Sequence, residues 1–142
     1  MAALTITAAQ VLLAAGPSRQ VTFGATITQG QSLYYDVVSG TWKLAQNDGT
    51  AAEAGADGYG ISLTAGAAGQ KGVIAEPGAK VTLGAGAAPA AGEVYCLGPT
   101  AGALNPRADM VSTNKVTPLC YGVGANAVQI VAGAYNAGSV LA

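Results

Sequence analysis

The sequence predicts an all-β fold, a barrel or sandwich of two similar β-meanders, and three observations carry that expectation. Short runs rich in β-branched and aromatic residues recur along the 142 residues, each bounded by Gly, Pro, Asn or Asp. No stretch keeps a helical period for three turns. The runs also follow one order twice. In chain order the expected strands are Leu4-Thr5-Ile6-Thr7, Val21-Thr22-Phe23, Ser32 to Val38, Tyr59 to Leu63, Lys80 to Leu83, Glu93 to Leu97 and Val128 to Val131. A Ser39-Gly40 turn joins Val37-Val38 to Thr41-Trp42 as a hairpin. Asn47-Asp48-Gly49 supplies loop chemistry, because these residues tolerate left-handed backbone. The Ala-rich stretches Ala51 to Gly58 and Gly84 to Gly92 are helical by propensity alone, but Gly or Pro interrupts them and they read as loops. A short helix over Ala8 to Ala15 is the one exception the pattern admits.

The repeated order appears in three matches. Gly24 to Gly30 resembles Gly78 to Gly84, Gly30 to Tyr34 resembles Gly92 to Tyr95, and Gly58-Tyr59-Gly60-Ile61 resembles Cys120-Tyr121-Gly122-Val123. Two copies are too few for a solenoid and suit two similar halves, about 24–75 and 78–131.

Composition narrows the function classes. Only 9% of residues are charged, the net charge is −1, and there is no His. A Ser-His-Asp or Cys-His centre and a His-ligated metal site are therefore excluded. The balanced charge gives no electrostatic footprint for nucleic acid. No apolar run approaches the roughly 20 residues of a spanning helix. Ala8 to Ala15 is the nearest approach to a signal core, but the first basic residue, Arg19, follows it. Cys96 and Cys120 sit in apolar settings and read as buried thiols, with a disulfide between them left open.

The chemical motifs are weak. Gly122-Val123-Gly124-Ala125-Asn126-Ala127 fits a dinucleotide-binding spacing, but a strand-like run follows it and no acidic residue follows Asp109, so it reads as a Gly-rich turn. The carboxylates Asp36, Asp48, Glu53, Asp57, Glu76, Glu93 and Asp109 are the available acid/base groups, and sequence brings no pair of them together. Asn47, Asp48, Glu53 and Asp57 are close in sequence without the spacing of a calcium loop. Tyr34, Tyr59, Tyr95 and Tyr121 read as core or interface anchors, and Trp42 as a cover over the end of the fold. The expectation is a protein with no enzymatic activity, no cofactor and no metal, binding neither nucleic acid nor membrane.

Leu33 to Ala45, followed by Asn47-Asp48-Gly49-Thr50 and Asp57-Gly58-Tyr59-Gly60-Ile61, resembles the capsid decoration (cement, or head-stabilising) proteins of tailed bacteriophages. The likeness continues from Gly78-Ala79-Lys80-Val81 to Tyr121-Gly122-Val123 and covers roughly 24–131. It implies a small β-barrel or β-tulip-like domain over 21–142, a homotrimer, and a place on the outer face of an HK97-type capsid shell, with the major capsid protein as partner. It also implies an extended N-terminal arm, here 1–20, that docks on the shell. Leu4, Thr5, Ile6, Thr7, Val11, Leu12 and Leu13 are the candidate contact residues, since such a segment can add a strand to a neighbour's sheet edge. Small side chains lose little rotamer entropy on burial, which also favours wide protein–protein contacts. The alternatives are another phage structural part, such as a tail or fibre domain, and a carbohydrate-binding β module.

Overall fold

Eleven strands in two antiparallel sheets make up the computed structural model, which describes residues 4, 6–47, 50, 53, 57–84, 87, 89–98, 100–107, 118–124 and 126–131. The five-stranded sheet contains β2 (Ser18–Thr22), β3 (Ser32–Asp36), β4 (Thr41–Leu44), β5 (Tyr59–Ser62) and β6 (Lys71–Ala75), in the order β2-β6-β5-β3-β4. The six-stranded sheet contains β1 (Leu12–Ala15), β7 (Lys80–Thr82), β8 (Val94–Leu97), β9 (Leu104–Pro106), β10 (Pro118–Gly124) and β11 (Ala127–Ile130), in the order β1-β7-β11-β10-β8-β9. Without β1, the two orders are the same when each set is counted along the chain: first, fifth, fourth, second, third.

The duplication therefore lies in the topology, and it sets the register of the echo. β2 and β7 hold the same place, and Thr22 opposite Lys71 matches Thr82 opposite Ala127. The Phe23 N–H then bonds the Gln70 carbonyl at 2.9 Å, and the Leu83 N–H bonds the Asn126 carbonyl at 2.8 Å. Pro17 to Gly24 thus corresponds to Pro77 to Gly84, sharing Pro, Val, Thr and Gly at matching positions. The structural partner of Gly78 to Gly84 is this segment and not Gly24 to Gly30. The other two matches pair β3 with β8 and β5 with β10.

Each sheet curls, and the two halves complete the curl differently. In the five-stranded sheet the edges touch at one parallel bridge, Phe23 to Trp42, where the Gly24 N–H bonds the Trp42 carbonyl at 2.8 Å. Val21, Phe23, Ile27, Leu33, Trp42 and Ile74 fill its inner face. In the six-stranded sheet the N-terminal segment runs between the edges. The Leu4 N–H bonds the Leu104 carbonyl beside β9, and Leu12 and Leu13 pair with Thr82 and Val81 of β7. The larger core spans both sheets, from Tyr59, Ile61 and Ala75 to Val81, Tyr95, Leu97, Leu119, Val128 and Ile130. β5 is buried along its whole length because it lies between the two cores.

Several local expectations are corrected. Ala8 to Ala15 is not a helix: one 3-10 turn covers Ala8–Gln10 and Leu12–Ala15 is strand, because β7 offers an edge that outweighs the helical preference of Leu and Ala. Of the expected strand Leu4 to Thr7, the described residues Leu4, Ile6 and Thr7 are not in a strand. The β3–β4 connection takes four residues, Val37 to Gly40, so the two valines stand in the turn and not in β3. The Gly122-Val123-Gly124 run ends β10, where Gly124 (φ 84°) and Asn126 (φ 60°) turn the chain into β11. A strand follows this Gly-rich run, as the sequence indicated, and not the helix of a phosphate site.

Candidate interaction surfaces

The hairpin tip between β3 and β4 is an apolar knob on a polar frame. Asp36 accepts the Val38 N–H at 3.2 Å and the Ser39 hydroxyl at 2.9 Å, and it pairs with Lys43 Nζ at 2.9 Å. The Ser39 and Thr41 hydroxyls are 2.6 Å apart, and the Gly40 N–H bonds the Asp36 carbonyl at 2.8 Å. Hydrogen bonding to Lys43, and then to Ser39, holds the Asp36 carboxyl below its usual range, and the same contact with Asp36 raises the Lys43 ammonium. This frame leaves Val37 57% and Val38 93% exposed. A turn commonly carries polar residues at such positions.

The N-terminal segment places its expected contact residues unequally. Val11 is buried in the larger core, and Leu4 and Ile6 pack partly buried against it. Gly30 (φ 85°) lacks a Cβ where Ile6 Cγ2 lies 2.4 Å from the ideal Cβ position, so the segment seats in a notch of the chain's own surface. The Thr7 N–H bonds the Leu83 carbonyl at 3.3 Å. Leu12 and Leu13 remain exposed, on a strand whose outer edge is unpaired by the described residues. Met1 to Ala3 and Thr5 lie outside the described residues. Of 1–20, the described residues 4 and 6–20 lie along the domain, and Ser18 already begins β2. A third apolar feature is the cross-strand pair Val94 and Tyr121, both more than a third exposed.

The open end of the five-stranded sheet forms a pocket of about 500 Å³, lined by Arg19, Tyr35, Trp42, Asp57, Gly58, Tyr59, Glu76 and Pro77. The Tyr35 and Trp42 rings meet at 5.5 Å with a 50° tilt. The Arg19 guanidinium carbon lies 5.5 Å from the centre of the Trp42 ring, and its nitrogen lies 3.9 Å from Glu76 Oε2. Trp42 is only 5% exposed, so it closes the end of the sheet and offers no open stacking face. The sequence offers Glu76 only as an available carboxylate, and Asp57 as that and as a neighbour of Asn47, Asp48 and Glu53 in a loop without calcium spacing. The convergence of Asp57 and Glu76 with Arg19 depends on strand register and leaves no local motif.

The remaining candidates are scattered. Asn47 is buried, donating its side-chain amide to the Leu97 carbonyl at 2.7 Å, whereas Glu53 bonds the Thr50 hydroxyl at 3.2 Å. Asp48 and Asp109 lie outside the described residues. Among the described residues no three His, Cys, Asp or Glu side chains gather to hold a metal ion. Cys96 and Cys120 are free and buried. Tyr59 and Tyr95 are buried, Tyr34 is half-buried and Tyr121 faces solvent. Among the described residues no helix is long and apolar enough to cross a membrane. Comparison with protein families, with curated proteins and with solved structures finds no match to this chain.

Proposed function

We propose that this chain is a structural virion protein, which binds the outer surface of an assembled tailed-phage capsid as a homotrimer and stabilises the shell by clamping neighbouring capsomers. The partners are the major capsid protein of an HK97-type lattice and further copies of the chain; there is no catalytic step. The observation that carries the reading is the Val37-Val38 tip. Two adjacent valines stand in solvent on a turn fixed by Asp36, Ser39 and Lys43. A rigid apolar knob loses little conformational entropy when it seats in a protein socket. Leu12 and Leu13 on β1, and Val94 with Tyr121, give further apolar contacts. Contacts of this size become strong when a trimer engages several lattice sites together. On this reading the two curled sheets form the β-tulip-like body, and the N-terminal docking element is the Leu12-Leu13 edge.

Sedimentation with expanded capsids tests the proposal. Purified protein should pellet with the shells and raise their melting temperature, while Val38→Asp, which leaves the fold intact, should stay in the supernatant. A chain that remains monomeric at high concentration and leaves capsids unchanged would sink the idea.

A further inference from the structure

We propose that the outer edge of β1 is covered, in the free chain, by the chain's own segment 132–142. The inference goes beyond the capsid reading, which gives this edge to the shell and so requires the segment to be displaced on binding. It is tested without capsids, so either reading can fail alone.

β1 is the strand that most needs a cover. All four of its residues are exposed, Leu12 at 66% and Leu13 at 37%, so an apolar side chain stands in water on each of its faces. One side pairs with β7, and no described residue pairs with the other. Such an edge is a template for a further strand, and charged side chains are the common guard against it. The sequence has none from Thr7 to Ser18. The register shift between Leu13 and Ala15 keeps the edge short, so a short strand is enough to cover it.

The course of the chain beyond β11 singles out the occupant. β1 and β11 both pair antiparallel with β7, so they run in the same direction on either side of it. The Ile130 carbonyl accepts the Gly78 N–H at 2.9 Å, and a Cβ on Gly16 would stand 2.7 Å from Ala79 Cα. Both strands therefore finish at the same end of the sheet, beside 78–79. Val131 is fixed there, its N–H bonded to the Leu119 carbonyl at 3.0 Å. From Val131 the free side of β1 is three strand spacings away, about 14 Å, which about five extended residues span. The segment 132–142 supplies eleven. Ala132 to Gly138, mostly Ala and Gly, make the crossing, and Ser139-Val140-Leu141-Ala142 equal β1 in length. Turning back from that end sets them antiparallel to β1, the sense a short return connection gives. Val140 and Leu141 bring apolar surface to Leu12 and Leu13, and no charged side chain in the segment holds it in water.

Hydrogen exchange at the amides of Leu12 to Ala15 reads the cover. Those turned away from β7 are protected only where another strand pairs with them. In the 142-residue chain they should be protected, and equally so at low and high protein concentration. Stopping the chain after Val131, or Leu141→Asp in the 142-residue chain, should speed their exchange about tenfold or more, while the amides turned toward β7 change little. If the shortened chain aggregates through the bared edge, Leu141→Asp carries the measurement. The proposal is overturned if the outward amides exchange at the unprotected rate in the 142-residue chain, or if their protection survives Leu141→Asp and the truncation. It is also overturned if the protection fades on dilution, which would assign the cover to a second copy.

Discussion

Asn47, just past β4, donates its side-chain amide to the carbonyl oxygen of Leu97 on β8 at 2.7 Å, while its backbone N–H bonds the Gly98 carbonyl at 3.1 Å. A fully buried residue of the first unit thus ties it to the second. Asn47→Ala should cost about 1–3 kcal/mol, because the Leu97 carbonyl loses its donor in a site closed to water. Asn47→Asp should cost more at neutral pH, since a carboxylate would face a carbonyl oxygen, and part of that loss should return on acidification. Urea unfolding of the two variants at two pH values checks both statements.

Gly72 on β6 is required by its neighbour. A Cβ there would stand 2.1 Å from Phe23 Cζ, and that ring is fully buried. Gly72→Ala should destabilise by about 1–3 kcal/mol through overpacking. Adding Phe23→Leu, which shortens the opposing side chain, should recover part of the loss in thermal unfolding.

The thiols set an alkaline limit. Burial pushes Cys96 up to about 11 from an ordinary 9.0, and Cys120 higher still, with the neighbouring Cys96 as a lesser cause. The folded state therefore holds these protons after the unfolded chain has released them. Their contribution is fully present below pH 9 and is lost as the pH rises toward 11 and beyond. Equilibrium unfolding at a series of alkaline pH values should show stability falling across that window, and Cys96→Ala should flatten the early part. At pH 8 neither thiol should react with a disulfide reagent until denaturant is added.

The hairpin frame has an acid limit. Asp36 is half-buried and its carboxyl is held low by Lys43, so the frame persists above the ordinary value of 3.8 and opens as the pH falls through the depressed one. Asp36→Asn should speed hydrogen exchange at the Val38 amide while changing global stability by less than about 0.5 kcal/mol. An unchanged exchange rate would show that the tip is rigid for another reason.

Deleting residues 1–15 should unfold more than an appendage. The cut removes Val11 from the core and uncovers the outer edge of β7. We expect a loss of at least about 2 kcal/mol, the scale of deleting one large core side chain, together with aggregation through the bared edge. Chemical unfolding and light scattering read the two effects.

The all-β class and most central strands were legible, because β-branched runs between Gly and Pro are a local signal, as at Tyr59–Ser62 and Val94–Leu97. What escaped depends on distant partners. β6 carries Gly72, which weakens a strand signal and is there because of the Phe23 ring. β9 ends in Pro106, tolerated because the strand lies at an edge. β1 has a helical composition and becomes strand only beside β7. The echo was visible but misaligned at its first match, since Gly-rich segments match in several registers and only the Thr22–Lys71 and Thr82–Ala127 pairs choose between them. Arg19 carried no signal of its place: its contact with Trp42 and Glu76 follows from strand register in a sheet whose edges had yet to be placed.

The duplicated topology also fixes an order in time. All pairings of β2 to β6 lie within the first unit, so that sheet can assemble while the second is still being synthesised. β1 is made before any of them, yet its partner is β7, and Leu4 waits longer, for Leu104. The earliest strand of the chain is thus among the last to find its place, and until then Leu12 and Leu13 are an uncovered adhesive segment on a nascent protein.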